Sequence, residues 1–203
     1  MPRGLLIVVS GPSGVGKNTI ISNLFTCLSD LKYSVSATTR EPRPNEIDGQ
    51  NYFFLTEAEF TKRIADNAFL EWAKVYQHYY GTPRSYVEKM LSNGVDLALD
   101  IDVQGAAQIK KALPEAILIF LSPPSLCELK QRLIGRKTEL ESEIELRLQY
   151  IETEFQAVPL YDYFIINREI DLTCRQIECI IQAERIKVSR QETNFLAKIL
   201  RAE

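Results

Sequence analysis

The sequence predicts an α/β fold: a P-loop core of three layers around a parallel sheet, with an inserted mixed α+β subdomain and a short lid. Three observations predict it. Leu5–Val9, Leu97–Leu99, Ile117–Leu121 and Phe164–Ile166 are short, continuous apolar runs, as strands buried on both faces are. Stretches with helical spacing lie between them, and strand–helix alternation indicates a sheet covered by helices. The first run passes into the first helical stretch through Gly11-Pro12-Ser13-Gly14-Val15-Gly16-Lys17, a complete G-x-x-x-x-G-K in the strand-to-helix context this phosphate-binding loop requires.

Leu5–Val9 is the expected first strand, and the loop after it is the strongest chemical signal in the chain. Its glycines let the backbone turn tightly and bring N–H groups around an anion. The helix that follows, Thr19–Leu28, adds the partial positive charge of its N-terminus. Lys17 neutralises charge on the β- and γ-phosphates. Gly11, Pro12, Ser13, Gly14, Val15, Gly16, Lys17, Asn18 and Thr19 are thus expected to hold the phosphates of a nucleotide. One position departs from the pattern. The residue after Lys17 is Asn18, where the motif has a Ser or Thr hydroxyl for Mg²⁺. An amide oxygen can ligate a hard cation, so Asn18 is the candidate Mg²⁺ ligand, with a geometry unlike that of a hydroxyl.

From about Val35 to Thr82 the alternation breaks. This stretch is rich in Tyr, Phe, Arg and Pro, and its apolar residues alternate over short spans. It reads as an inserted, partly antiparallel subdomain at 35–82, dividing a core made of 1–34 and 83–203. Within it Arg40 and Arg43 stand three apart, and Pro42 and Pro44 stiffen the segment. Paired guanidiniums suit a bidentate grip on a phosphate. Tyr52 and Tyr80 can add hydroxyl donors to the same group. Glu71 lies in Phe-Leu-Glu-Trp-Ala, where the bland alternative is a surface carboxylate on an antiparallel strand. His78, the single histidine, reads as a surface residue.

Asp100-Ile101-Asp102 ends the strand that begins near Leu97. With a period of two, both carboxylates point to one face, at the sheet edge where such folds bind ligands. Either can orient Mg²⁺ through water, or accept from an arginine or a substrate. Asp102 also suits the N-cap of the helix Val103–Ala112. After the strand Ile117–Leu121 and the helix Ser125–Leu133 comes a polar stretch, Gly135–Ser142. It is the expected lid, spanning about 135–147 and flanked by Arg132, Arg136 and Arg147. A helix over Ile144–Phe155 follows it. The last helix, Leu172–Ser189, is expected to pack the core through Ile177, Ile180, Ile181 and Ile186.

A length of 203 residues fits one domain with an insertion. A hydrophobic fraction of 45% and a charged fraction of 25% are ordinary for a soluble globular protein. The net charge of −3 speaks against a general nucleic-acid binder. No apolar run approaches the ~20 residues needed to span a bilayer, and the N-terminus lacks the pattern of a signal peptide. Cys27, Cys127, Cys174 and Cys179 are scattered and form no CxxC, leaving a structural zinc site little to work with. They read as free thiols in a reducing cytoplasm, most of them packing groups.

Taken in order, the P-loop, S-x-T-T-R-x-P-R from Ser36, G-x-x-Y-x-F from Gly49, F-L-E-W from Phe69, Y-Y-G-T from Tyr79 and D-I-D-x-Q-G from Asp100 resemble the guanylate kinase family. The match runs from Leu5 to about Asp171. The resemblance implies transfer of the γ-phosphoryl group of ATP to GMP or dGMP with Mg²⁺. It implies that Arg40, Arg43, Tyr52 and Tyr80 hold the GMP phosphate, and that Ser36, Glu71 and Thr82 read guanine with Asp100 and Asp102 near the nucleotide. It also implies that Lys17, Arg40, Arg136 and Arg147 serve catalysis, that Arg132 and Arg136 meet the ATP phosphates, and that Asn167 lies near adenine. Chemistry supports the Glu71 role independently: guanine offers adjacent N1–H and N2–H₂ donors that one carboxylate accepts together, and adenine does not. Two alternatives stay open. Some guanylate-kinase-like domains have lost catalysis and bind protein partners, which Asn18 alone favours; a kinase for another monophosphate is opposed by Glu71 and Ser36. A homo-oligomer is compatible with the sequence.

Overall fold

β1 (Leu6–Ser10) is buried at every position because it lies in the middle of a parallel sheet. β7 (Asp96–Asp100) pairs with it on one side and β8 (Ile117–Ser122) on the other. β2 (Leu31–Tyr33) adds to β7, and β9 (Tyr163–Ile166) adds to β8, giving the order β2-β7-β1-β8-β9. The computed structural model describes residues 2–75, 77–134 and 151–190. The expected lid at about 135–147, with Arg136 and Arg147, lies outside the described residues.

The pleat of β1 sends alternate side chains to opposite faces. Leu5, Ile7 and Val9 pack with Ile20 and Leu24 of α1 (Lys17–Cys27) and Ile177 and Ile181 of α7 (Ile170–Arg185). Leu6 and Val8 pack with Val87 and Leu91 of α3 (Arg84–Ser92) and Ala106 and Ile109 of α4 (Val103–Ala112). The core is therefore split into two apolar layers by the sheet. Below the sheet, Asp96 locks three elements together. Its carboxylate accepts from Leu5 N–H at 2.7 Å and from Arg185 Nε at 2.8 Å, and Arg185 also reaches Asp30 at 2.7 Å.

A second, four-stranded sheet has the order β4-β3-β6-β5. β3 (Ser36–Thr38) runs parallel to β4 (Tyr52–Phe54) and antiparallel to β6 (His78–Pro83), which pairs antiparallel with β5 (Phe69–Val75). α2 (Glu57–Ala65) starts at a capping box between Thr56 and Glu59. Its Phe60 stacks between Phe69 and Tyr79, with ring centroids 4.3 and 5.3 Å away. Ala37, Phe60 and Phe69 form a small core of their own.

The structure corrects several sequence expectations. β2 and α3 were not anticipated. The strand at Phe164–Ile166 is not buried on both faces: β9 is a sheet edge, so only Ile165 is buried while Phe164 and Ile166 remain 48% and 43% exposed. Ile186 does not pack the core, because α7 ends at Arg185 and leaves it 76% exposed. Cys174 is buried, but Cys27, Cys127 and Cys179 are exposed free thiols rather than packing groups. His78 is part-buried as the first residue of β6.

Candidate active site

The loop from Gly11 to Gly16 joins β1 to α1 at the C-terminal edge of the parallel sheet. Gly11 has φ 142°, and a Cβ there would run into the Leu121 carbonyl of the neighbouring β8. Gly16 has φ 101° at the N-cap of α1. Both values lie where L side chains are strained. Lys17 curls back over the loop, its Nζ donating to the carbonyls of Gly11 at 2.7 Å and Pro12 at 3.3 Å. Asn18 and Thr19 are exposed in the first turn of α1.

Asn167 and Arg132 brace this loop from outside. The Asn167 Nδ2 donates to the Val15 carbonyl at 2.8 Å, and its Oδ1 accepts from the Thr173 hydroxyl at 3.0 Å. Arg132, from α5 (Leu126–Ile134), donates through Nη1 to Val15 O at 3.3 Å and through Nη2 to Asn167 O at 3.2 Å and to Glu128 at 2.5 Å. Gly16, Thr19, Arg132, Asn167, Arg168 and Ile170 line a cleft of about 290 Å³ beside the loop. The amide of Asn167 is thus largely committed to fixing loop and cleft wall.

Arg40 follows β3, and its guanidinium lies over the rings of Tyr52 and Phe54, at 5.6 and 5.9 Å from their centroids. Such stacking costs a planar cation little of its hydrogen-bonding capacity. Tyr52 and Tyr80 meet edge to face at 6.1 Å, because parallel β4 and antiparallel β6 flank β3. Arg40 Nη2 donates to both oxygens of Glu46, at 2.8 and 2.9 Å, and Nη1 donates to the Glu41 carbonyl at 2.6 Å. Glu46 also accepts from Arg43 N–H at 2.8 Å. That backbone donor, then Arg40, holds the Glu46 carboxyl below its usual range.

Glu71 stands opposite Thr82 in the β5–β6 ladder, just after a register shift between Phe69 and Glu71. The shift turns the carboxylate inward, where only 6% of the residue is exposed. Its Oε1 accepts from the Thr82 hydroxyl at 2.6 Å. A Cβ on Gly105 would come within 3.2 Å of Oε2, so the glycine leaves room for that oxygen. Burial pushes the Glu71 carboxyl up to about 7; the Thr82 hydroxyl opposes the rise, and the negative field of Asp102 adds to it. A buried carboxylate held through Oε1, beside a second carboxylate, is arranged to accept donors from a ligand.

Between the two halves lie Asp100, at the end of β7, and Asp102. Asp102 caps α4 by accepting from Gly105 N–H at 2.8 Å. Burial raises the carboxyls of Asp100 and of Glu154, from α6 (151–156), and in both cases Lys17 pulls the other way. The structure thus brings the P-loop, Asp100, Asp102 and Glu71 to one side of the sheet. Ser36 opens β3 in register with Tyr52. Sequence reasoning missed Glu46, Glu154 and Tyr33, the last lying within electrostatic reach of Asp100 and Tyr52. Glu46 had a readable signal, an acid three residues after Arg43 across Pro44. Glu154 and Tyr33 had none in their local pattern.

Residues 3–184 match the family model for guanylate kinase. The chain is 50% identical over 194 residues to a guanylate kinase of Caldanaerobacter subterraneus subsp. tengcongensis, covering 96% of this chain and 94% of that one. It is 47% identical to a guanylate kinase of Clostridioides difficile, over 97% of this chain and 96% of the relative. A crystal structure of guanylate kinase from Anaplasma phagocytophilum superposes with a TM-score of 0.75 at 30% identity, covering 99% of this chain and 96% of that one.

Proposed function

The chain belongs to the guanylate kinase family, and we propose that its paired sites carry the reaction ATP + GMP to ADP + GDP, with dGMP as an alternative acceptor. It is a nucleoside monophosphate kinase acting on small nucleotides. The observation that carries the reading is the buried Glu71 carboxylate, held by the Thr82 hydroxyl through Oε1 and set beside Asp102. An ionised carboxylate there accepts N1–H and N2–H₂ of guanine, while adenine leaves it unpaired at the cost of its buried charge.

In this reading the residues 35–82 are the GMP-binding subdomain inserted in the core 1–34 and 83–203. Arg40, Arg43, Tyr52 and Tyr80 hold the GMP phosphate, and Ser36, Glu71, Thr82, Asp100 and Asp102 surround the nucleoside. The N–H groups of residues 11–19 and the Lys17 ammonium hold the ATP phosphates. The cleft of Gly16, Thr19, Arg132 and Asn167 takes the far end of ATP. Arg136 and Arg147, in the proposed lid, complete the cationic clamp. Transfer is direct and in line: the GMP phosphate oxygen bonds to the γ-phosphorus as the bond to the β–γ bridging oxygen breaks, and ADP leaves with that electron pair. Positioned cations and exclusion of water supply the rate.

The residues present fit Mg²⁺. Among the described residues no group of three or more His, Cys, Asp or Glu is set to hold a metal alone, and Mg²⁺ draws most of its ligands from phosphates and water. The Asn18 amide and the Asp100 carboxylate are hard oxygen donors at the loop. When bound, the ion offsets charge on the β- and γ-phosphates. No helix among the described residues is long and apolar enough to cross a membrane, and the reading places the reaction in the cytoplasm with its substrates.

A single-turnover experiment with γ-labelled ATP and excess GMP tests this. Label passes to GDP at the rate it leaves ATP, and none stays on the protein. Label on the protein, or released as inorganic phosphate, would overturn direct transfer.

A further inference from the structure

We propose that Glu46 is a positioning residue for GMP: it holds the Arg40 guanidinium in the plane the GMP phosphate meets. The proposal rests on the reading of Arg40 and Arg43 as the phosphate site. It starts from the turn Arg43-Pro44-Asn45-Glu46. Asn45 sits at φ 73°, in the left-handed region, which Asn tolerates better than most residues. The turn closes with Glu46 N–H donating to Arg43 O at 3.0 Å. This folding back lets one carboxylate serve two residues of the phosphate site. It takes the Arg43 N–H at 2.8 Å and, with both its oxygens, Arg40 Nη2 at 2.8 and 2.9 Å.

The consequence for Arg40 follows from counting its donors. A guanidinium has five N–H groups in one plane. Glu46 engages Nη2 and the Glu41 carbonyl engages Nη1, and the rings of Tyr52 and Phe54 cover its face. The side chains of both partners are mostly buried, at 14% and 18% exposure. The fork can present only its remaining N–H groups, in a fixed plane, to an incoming phosphate. Without the carboxylate Arg40 must pay the entropy of that arrangement each time GMP binds. Glu46 also offsets one of the two positive charges, so the empty site is stable without a bound anion.

The test is a double-mutant cycle between Glu46→Gln and Arg40→Ala, with KM for GMP, KM for ATP, kcat and Tm measured for each variant. The amide keeps the shape and removes the charge. Glu46→Gln is expected to raise KM for GMP about tenfold with kcat within about twofold, the signature of lost uniform binding. KM for ATP stays as in the parent, and this GMP-selective change, with only a modest fall in Tm from the lost ion pair, is what a merely structural role would not give. In the Arg40→Ala background the same change adds less than about twofold, because Glu46 acts through Arg40. Glu46→Asp, charged but one methylene shorter, gives an intermediate KM. An unchanged or lower KM for GMP in Glu46→Gln would overturn the proposal, the lower value marking Glu46 as a competitor of the phosphate. So would an equal rise in both backgrounds. If Arg40→Ala itself left KM for GMP unmoved, the phosphate-site reading would fall, and this proposal with it.

Discussion

Replacing Glu71 by Gln should make the protein more stable and a much poorer kinase. The carboxyl sits at about 7 in the folded chain against 4.5 for the free group, a difference of about 3 kcal/mol. The folded value is raised, so the favourable term is fully present below pH 4.5 and is lost as pH climbs through 7. Ionised Glu71 therefore costs the empty protein about 3 kcal/mol at pH 8. Gln keeps the acceptor for the Thr82 hydroxyl, now at 2.6 Å from Oε1, and carries no charge. Tm of Glu71→Gln should exceed that of the parent by about 6–12 °C at pH 8, and the gap should shrink to under about 1 kcal/mol at pH 5. Against GMP the amide offers one acceptor and one donor to two donors. Losing two charge-assisted hydrogen bonds at about 2 kcal/mol each lowers kcat/KM about 10³-fold. In the parent, GMP needs the ionised form, which is about one molecule in ten at pH 6, so KM for GMP should rise about tenfold between pH 8 and pH 6. Calorimetry across pH and steady-state kinetics check both halves. A variant no more stable than the parent at pH 8, or a KM for GMP flat from pH 8 to pH 6, would refute the argument.

Three further perturbations follow from the same geometry. Asn18→Ser restores the hydroxyl after Lys17 and should raise activity at limiting Mg²⁺; an unchanged Mg²⁺ dependence would count against Asn18 as the weak point. Asn167→Ala leaves the Thr173 hydroxyl unpaired and the Val15 carbonyl with Arg132 alone. It should cost about 1–3 kcal/mol of stability and raise KM for ATP about tenfold while sparing KM for GMP. Arg185→Ala strips the buried Asp96 carboxylate of its guanidinium and should cost about 3 kcal/mol, read as a lower Tm with kinetic constants unchanged at 25 °C.

The parts of the fold legible in the sequence were those written locally. β1, β7 and β8 are continuous apolar runs because the middle of a parallel sheet sees no water, and the phosphate loop occupies consecutive residues. β2 was hidden because an edge strand of three residues needs only Leu31 to be apolar. α3 was hidden because its buried face is two residues, Val87 and Leu91, four apart. Continuous apolarity misled at β9, where the sheet ends after Ile165 finds its cover. In the candidate site, Glu71 stood out because a carboxylate inside an apolar strand demands a reason. Glu46 offered only its spacing from Arg43, because its meeting with Arg40 depends on a left-handed Asn45 that no pattern announces. Tyr33 and Glu154 reach the site from strands and helices far apart in the chain, which only the tertiary fold brings together.

The central claim is that this chain phosphorylates GMP and selects it through Glu71. The most direct test is ADP formation from ATP and Mg²⁺ with GMP, AMP, CMP and UMP offered as separate acceptors to the parent and to Glu71→Gln. The account predicts rapid turnover with GMP alone, lost in the variant. No turnover with any acceptor, in folded protein that still binds GMP, would contradict it and point to a domain that binds nucleotide without catalysis.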